Sequence, residues 1–274
     1  MITDWQRLFP EADYRFQMSL RPGNAEGFWR NTDAAALTLR RDLVAGNADR
    51  YVRVLPEGVA MLEEALAFLE NFAAPARAAL PAPTVLARCR EMAGRLEADW
   101  VALSPDVARG FPIVGGVVAF PSSWALEEKI GLPLHEVHAP APGLNAALGR
   151  SIATFLEKLA PNICWERENW GLSADDALNH HPAITSPSPM AGATLDHTWL
   201  RLERQSLMRL PLTRAILFGI RVTNHRLDHL AETPGLAPRL ARALETMPED
   251  IAAYKGLSTT RASLALALRR QVAT

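Results

Sequence analysis

The stretch "TWLRLERQSLMRL", Thr198 to Leu210, alternates along its length. Leu200 and Leu202 fall on one side, and Trp199, Arg201, Glu203 and Gln205 fall on the other. That is the pattern of a β-strand with one apolar face and one row of hydrogen-bonding groups. Two neighbours share the period: "ICWERENWGL" (163–172) and "AILFGIRVT" (215–223). The short link "PLTR" (211–214) suits an antiparallel pair, so an antiparallel meander is expected. Arg167 and Asn169 have the parity that places them beside the polar row, and Arg204 the parity of the opposite face.

Working outward from the meander, "IVGGVVAF" (113–120) is a compact β-branched run ending at Pro121. Ser122 or Ser123 is expected to cap a short helix carrying Glu127 and Glu128 early and stopping at Gly131. A second turn starts at Pro133 and puts Leu134, Val137 and His138 on one face before "HAPAPG" ends it. A longer helix is expected from about Leu144 to Leu159. Before residue 110 the period is helical: "EGVAMLEEALAFLENF" (57–72) and "TVLARCREMAGRLEADWVAL" (84–103) read as two helices, joined by a Pro- and Ala-rich connector from Ala73 to Pro83. Helices also close the chain, in "APRLARALETM", "PEDIAAYKGL" and "TTRASLALALRRQ". Outside these lies a Ser/Pro-rich loop, Thr185 to Gly192. The expected class is α+β, with an antiparallel sheet wrapped by helices from residues 1–110 and from about 230 to 274, and one sheet face left to hold a ligand.

Composition narrows the function. A chain of 274 residues with 49% hydrophobic residues can bury a substantial core, and a net charge of −1 gives no basic surface for nucleic acid. No apolar run is long enough to span a bilayer and the first residues are charged throughout, so no membrane role and a cytoplasmic location are expected. Cys89 and Cys164 belong to no metal or haem-attachment motif and read as small buried hydrophobes.

His138 ends a proline-stiffened turn on an apolar face, where a histidine is either a hydrogen-bonded core residue or a metal ligand. "HEVH" (135–138) is one residue short of the zinc-protease spacing and lacks a third ligand, which argues against zinc hydrolysis. His225 and His229, at i, i+4 spacing with Asp228 adjacent, and the pair His180 and His181 read as solvated histidines. The row Arg201, Glu203 and Gln205 is either a solvated face or the wall of a closed pocket. In a pocket its charges must be paired. The chain has no Gly-rich dinucleotide fingerprint, ferredoxin cysteine spacing or nucleophile elbow.

Together, "FPSSW", "EKIGLP", "VHAPAPG", "RENWGL", "LRLERQSLMRLP", "ILFGIRV" and "AAYKGL" resemble the haem-dependent oxidative N-demethylase family over nearly the whole chain. The resemblance implies a single PAS-like domain (1–274) holding a b-type haem, with His138 as the iron ligand and Lys129, Trp124, Trp170 and Arg201 around the cofactor. It also implies oxidative demethylation of a small secondary amine such as dimethylamine with O2. Electrons would come from NADPH or NADH through the FMN and 2Fe–2S centre of a partner reductase, and a folate-binding subunit would capture formaldehyde. Glu203 is the candidate to bind the amine cation and accept its proton, with Arg167 and Asn169 positioning that carboxylate or a haem propionate. A haem-based gas sensor and a haem-free hydrolase or binding protein remain alternative classes.

Overall fold

The computed structural model describes residues 3–75, 83–184, 188–189 and 191–271. Most of the 73–83 connector and half of the 185–192 loop therefore lie outside the described residues. Among the described residues seven strands form one antiparallel sheet: β1 (Arg21–Pro22), β2 (Val52–Val54), β3 (Asp99–Leu103), β4 (Ile113–Val117), β5 (Cys164–Ser173), β6 (Trp199–Arg209) and β7 (Ile216–Arg226). Their order is β1-β5-β6-β7-β3-β4-β2. The α+β expectation is met, and the meander is β5-β6-β7, in register from Asn169↔Glu203 to Glu203↔Val222.

The N-terminal third is not purely helical. Residues 84–103 contain one helix, Val85–Ala93, and then turn into β3, which pairs with both β4 and β7. Every residue of β3 is buried, so it lacks the alternation that marks a half-solvated strand, and its apolar run passes for helix. The first 54 residues supply both edges of the sheet, β1 against β5 and β2 against β4.

Each face of the sheet has its own cover. One face packs the N-terminal helices, including Ala34–Gly46 and Val59–Leu69, against Trp100, Ala102 and Leu217, and packs the C-terminal helices, Leu236–Thr246 and Arg261–Gln271, against Leu172, Leu200 and Leu202. Phe28 and Trp29 lie so close over β7 that a Cβ on Gly219 would come within 2.4 Å of the Trp29 ring. The other face, built by Val101, Leu103, Ile216, Leu207 and Trp165, is covered by the segment between β4 and β5: helices Leu126–Lys129, Leu134–His138 and Arg150–Lys158, with a π-turn at Asn145–Gly149. Among the described residues no helix is long and apolar enough to cross a membrane.

Candidate functional site

The polar row lies on this second face, and it is buried. Arg201, Glu203 and Gln205 are each 4–8% exposed, so the solvated-face alternative is excluded. Glu203 Oε2 accepts hydrogen bonds from Asn169 Nδ2 across the strand pair (3.3 Å) and from Gln205 Nε2 along its own strand (2.9 Å). Its Oε1 accepts none from the described residues. Arg167, opposite Gln205 in the register, is an incompletely satisfied cation: its Nε is buried without a hydrogen-bond partner. Burial lowers its pKa, opposed by the charges of Glu203 and Glu168. A partly buried guanidinium with an unpartnered Nε is a ready receptor for a carboxylate.

Arg201 has a different arrangement. Its Nε donates to Ser122 Oγ (2.7 Å), Nη1 to Ala177 O (2.9 Å), and Nη2 to Phe120 O, Pro121 O and Leu178 O (3.0, 3.1 and 2.6 Å). Burial pushes the guanidinium down to about 10. All three nitrogens thus fasten the loop after β4 to the loop after β5. Asp99, buried and paired with Arg40, holds the same β4 loop from its donor side by accepting from Ala119 N (2.7 Å) and Phe120 N (2.9 Å). Ser122 is therefore an acceptor for Arg201, and the short helix begins after Ala125 with no side-chain cap, which corrects the expected serine cap.

The helix Leu134–His138 is placed by its flanks. Pro133 precedes it, Leu134 N donates to Gly110 O (2.9 Å), and Ala141 N closes back on His138 O (3.0 Å) before Gly143 turns the chain with φ +72°. Leu134 and Val137 pack into the apolar cluster with Trp124, Phe155 and Trp165, as the shared-face expectation requires. His138 is partly buried, and among the described residues its ring makes no hydrogen bond. Burial, then the positive charges of Arg167 and Lys129, hold its pKa down to about 4, so the imidazole is neutral at pH 7. The two arginine and lysine contributions place His138 within electrostatic reach of both β5 and the helix Leu126–Lys129. His135, by contrast, is 68% exposed.

Trp170, next to Asn169 in β5, has opposite parity and faces away from the row, packing on Phe9 (5.0 Å between ring centroids) within the C-terminal cluster. A groove of about 800 Å3, its open mouth included, runs between the N-terminal segment and β5. Phe9, Tyr14, Leu144 and Leu148 line it, and it reaches Arg167 and Asn169 but not His138.

The reading of His180 and His181 as solvated is corrected. His180 and His181 are each 2% exposed: His180 Nε2 lies 2.9 Å from Asp175 Oδ1, and His181 Nε2 lies 3.1 Å from Glu127 Oε1. Their loop is docked by backbone bonds at Pro121 and Ser123, a tertiary contact that the local "NHHP" pattern does not signal. His225 sits on β7 against the Trp5 ring, whereas His229 sits on the helix Leu227–Ala231, so the two do not form a helical pair. Among the described residues no group of three His, Cys, Asp or Glu side chains is placed to hold a metal ion.

The residues fit a haem: a neutral imidazole not engaged in hydrogen bonding, an apolar wall, and a guanidinium whose buried Nε lacks an acceptor. A family model described as haem-dependent oxidative N-demethylase, alpha subunit-like, matches residues 77–265, well over half of the chain. The chain belongs to that family, whose name assigns it a haem-dependent, oxidative N-demethylase-like activity, that of an oxidoreductase.

Proposed function

We propose that residues 1–274 act as one PAS-like, haem-holding unit that demethylates a small secondary amine such as dimethylamine, with O2 and electrons from a partner. The single observation that carries this reading is a neutral His138 within electrostatic reach of an under-bonded Arg167, which shares its sheet face with a buried carboxylate, Glu203. The order of the five inner strands supports the PAS-like description. The hairpin β3-β4 lies beside the last strand of the meander, and the cofactor-side helices are inserted between the two.

A bound b-type haem supplies the redox centre for oxygen reduction and amine oxidation. His138 provides the nitrogen ligand, and its low pKa keeps that nitrogen free of a competing proton throughout the physiological range. Arg167 receives a carboxylate of the cofactor, with Lys129 as a second cation near His138 and Trp124 in the apolar wall. Arg201 serves the same site as a loop clamp rather than as a cofactor contact, because its donors are engaged with the protein's own carbonyls. Trp170 supports the back of β5.

A secondary amine is a cation at neutral pH, and Glu203 Oε1 is the acceptor for it. Asn169 and Gln205 fix the carboxylate from the other oxygen, so it is oriented before the amine arrives. Taking the ammonium proton frees the nitrogen lone pair for oxidation. The family's "alpha subunit-like" description points to a multi-subunit enzyme. We assign the other parts to a reductase carrying FMN and a 2Fe–2S centre, fed by NADPH or NADH, and to a folate-binding subunit.

The test is the visible spectrum of the purified, haem-loaded protein and two variants. His138→Ala is expected to lose the haem or hold it weakly, while His135→Ala retains the parent Soret band. A colourless His135→Ala beside an unchanged His138→Ala refutes the ligand assignment.

A further inference from the structure

We infer that the secondary amine reaches Glu203 around the open edge of β5, through a passage whose apolar wall, Leu144 and Leu148, sets the size of the N-alkyl groups admitted; this rests on the amine-binding role proposed for Glu203. β1 pairs with β5 only at Trp165 and Glu166. From Arg167 to Ser173, β5 is paired with β6 on its inner side, and among the described residues no strand covers its outer side. The groove between the N-terminal segment and β5 lies along this uncovered stretch. Arg167, Glu168, Asn169 and Trp170 all line it, and they alternate between the two sheet faces, so the groove rounds the strand edge. On the face of the polar row it meets Asn169, whose amide donates to Glu203 Oε2 (3.3 Å).

The two leucines are not used in packing the core. Residues 144–158 carry an apolar stripe at Leu144, Leu148, Ile152 and Phe155. Ile152 and Phe155 pack into the apolar cluster, with Phe155 against Trp165 (5.6 Å between ring centroids). Leu144 and Leu148 belong to none of the buried clusters; they are half-buried and line the groove instead. Their segment covers the row face, so on that face they and Asn169 border one passage. The backbone between them is the π-turn Asn145–Gly149, fixed where Asn145 Nδ2 donates to His135 O (2.7 Å). Such turns recur at functional sites.

Charge along the way does not select among amines. The carboxylates of the groove are already engaged, Asp13 by Arg242 and Glu168 by Arg21, while Arg7, Arg15 and Arg167 add positive charge. Among the described residues an entering ammonium therefore meets no unpaired carboxylate before Glu203. The contacts that distinguish one amine from another are apolar, and an alkyl chain too long for the passage must displace the leucine side chains.

The experiment is calorimetric titration of dimethylammonium and dipropylammonium chlorides into the full-length haem-loaded protein and its Leu144→Ala, Leu148→Ala and Ile152→Ala variants, with chemical denaturation alongside. The parent should bind dimethylammonium at least about tenfold more tightly than dipropylammonium. Each leucine variant should narrow that preference about threefold or more, by gaining affinity for the larger amine at parental stability. Ile152→Ala, one turn further along the same stripe, should lose stability and keep the preference. Equal parental affinities for the two amines overturn the inference even where a variant does not fold. So does a parental preference retained by both leucine variants, or one shifted equally by Ile152→Ala. These results leave Glu203's role intact, because Glu203→Gln should weaken both amines alike. If the parent binds neither amine, or Glu203→Gln binds both as the parent does, the Glu203 reading itself falls, and the inference with it.

Discussion

Glu203→Gln tests the site most directly, because the two carboxylate oxygens have separate tasks. Asn169 and Gln205 both donate to Oε2, and Oε1 faces no donor among the described residues. A glutamine can keep its carbonyl oxygen in the Oε2 position and place its NH2 where Oε1 stood. Both donors stay satisfied, so the cost to folding stability is limited to the charge lost beside Arg167 and Arg201, about 1–3 kcal/mol. The electrostatic loss is larger. An ammonium about 4 Å from a carboxylate, at an effective dielectric near 20, gains about 4 kcal/mol, an upper limit of roughly a thousandfold in affinity. Loss of the proton acceptor removes on the order of a hundredfold in rate. The assays are chemical denaturation, the amine-induced change in the visible spectrum, and formaldehyde production with the electron donor supplied. The expected variant folds, keeps its haem spectrum, binds the amine at least about tenfold more weakly and demethylates about a hundredfold more slowly. A variant with parental affinity and rate would show that the carboxylate is a structural member of the sheet.

Arg201→Met removes the donor of five acceptors, two of them the buried carbonyls of Phe120 and Pro121, and should cost about 2–4 kcal/mol by chemical denaturation, to the same extent with and without haem. Parental stability combined with weakened haem retention would return Arg201 to the cofactor shell. His180 gives a pH dependence. Burial first, then Arg201, lowers its pKa, against the pull of Asp175. The folded state therefore resists protonation, and stability present above about 6.5 is lost as pH falls below it. Urea midpoints at pH 7.5 and 5.5 should converge in His180→Gln relative to the parent, and an unchanged difference would remove His180 as the cause.

What could be read from sequence follows exposure. The meander announced itself because β5 and β6 each pair a greasy face with a polar one, and the parity that grouped Arg167 and Asn169 with Glu203 is the register observed. The same parity placed Trp170 on the other face, a signal available in the alternation itself. β3 was not legible: buried on both faces, it offers no period to distinguish it from helix. Parity located Arg201 but not its use, since the carbonyls it binds come from loops 24 and about 80 residues away in sequence. The burial of His180 and His181 is not legible for the same reason, being created by distant parts of the chain.

The origin of the two outermost strands bears on how the chain folds during synthesis. β1 and β2 leave the ribosome first, yet β1 has no partner until residues 165 and 166 exist, and β2 none until residues 115 to 117. The amino-terminal segment must wait, tethered and unpaired, and then buckle around a sheet assembled later from hairpins, a high-contact-order step that should come late and slowly. The stretch matched by the family model, residues 77–265, lacks the two strands that cover the sheet's ends and lacks Arg40, the partner of the buried Asp99. Expressed alone, that stretch would carry two bare strand edges and an uncompensated interior carboxylate, so it is expected to self-associate rather than fold as an independent unit.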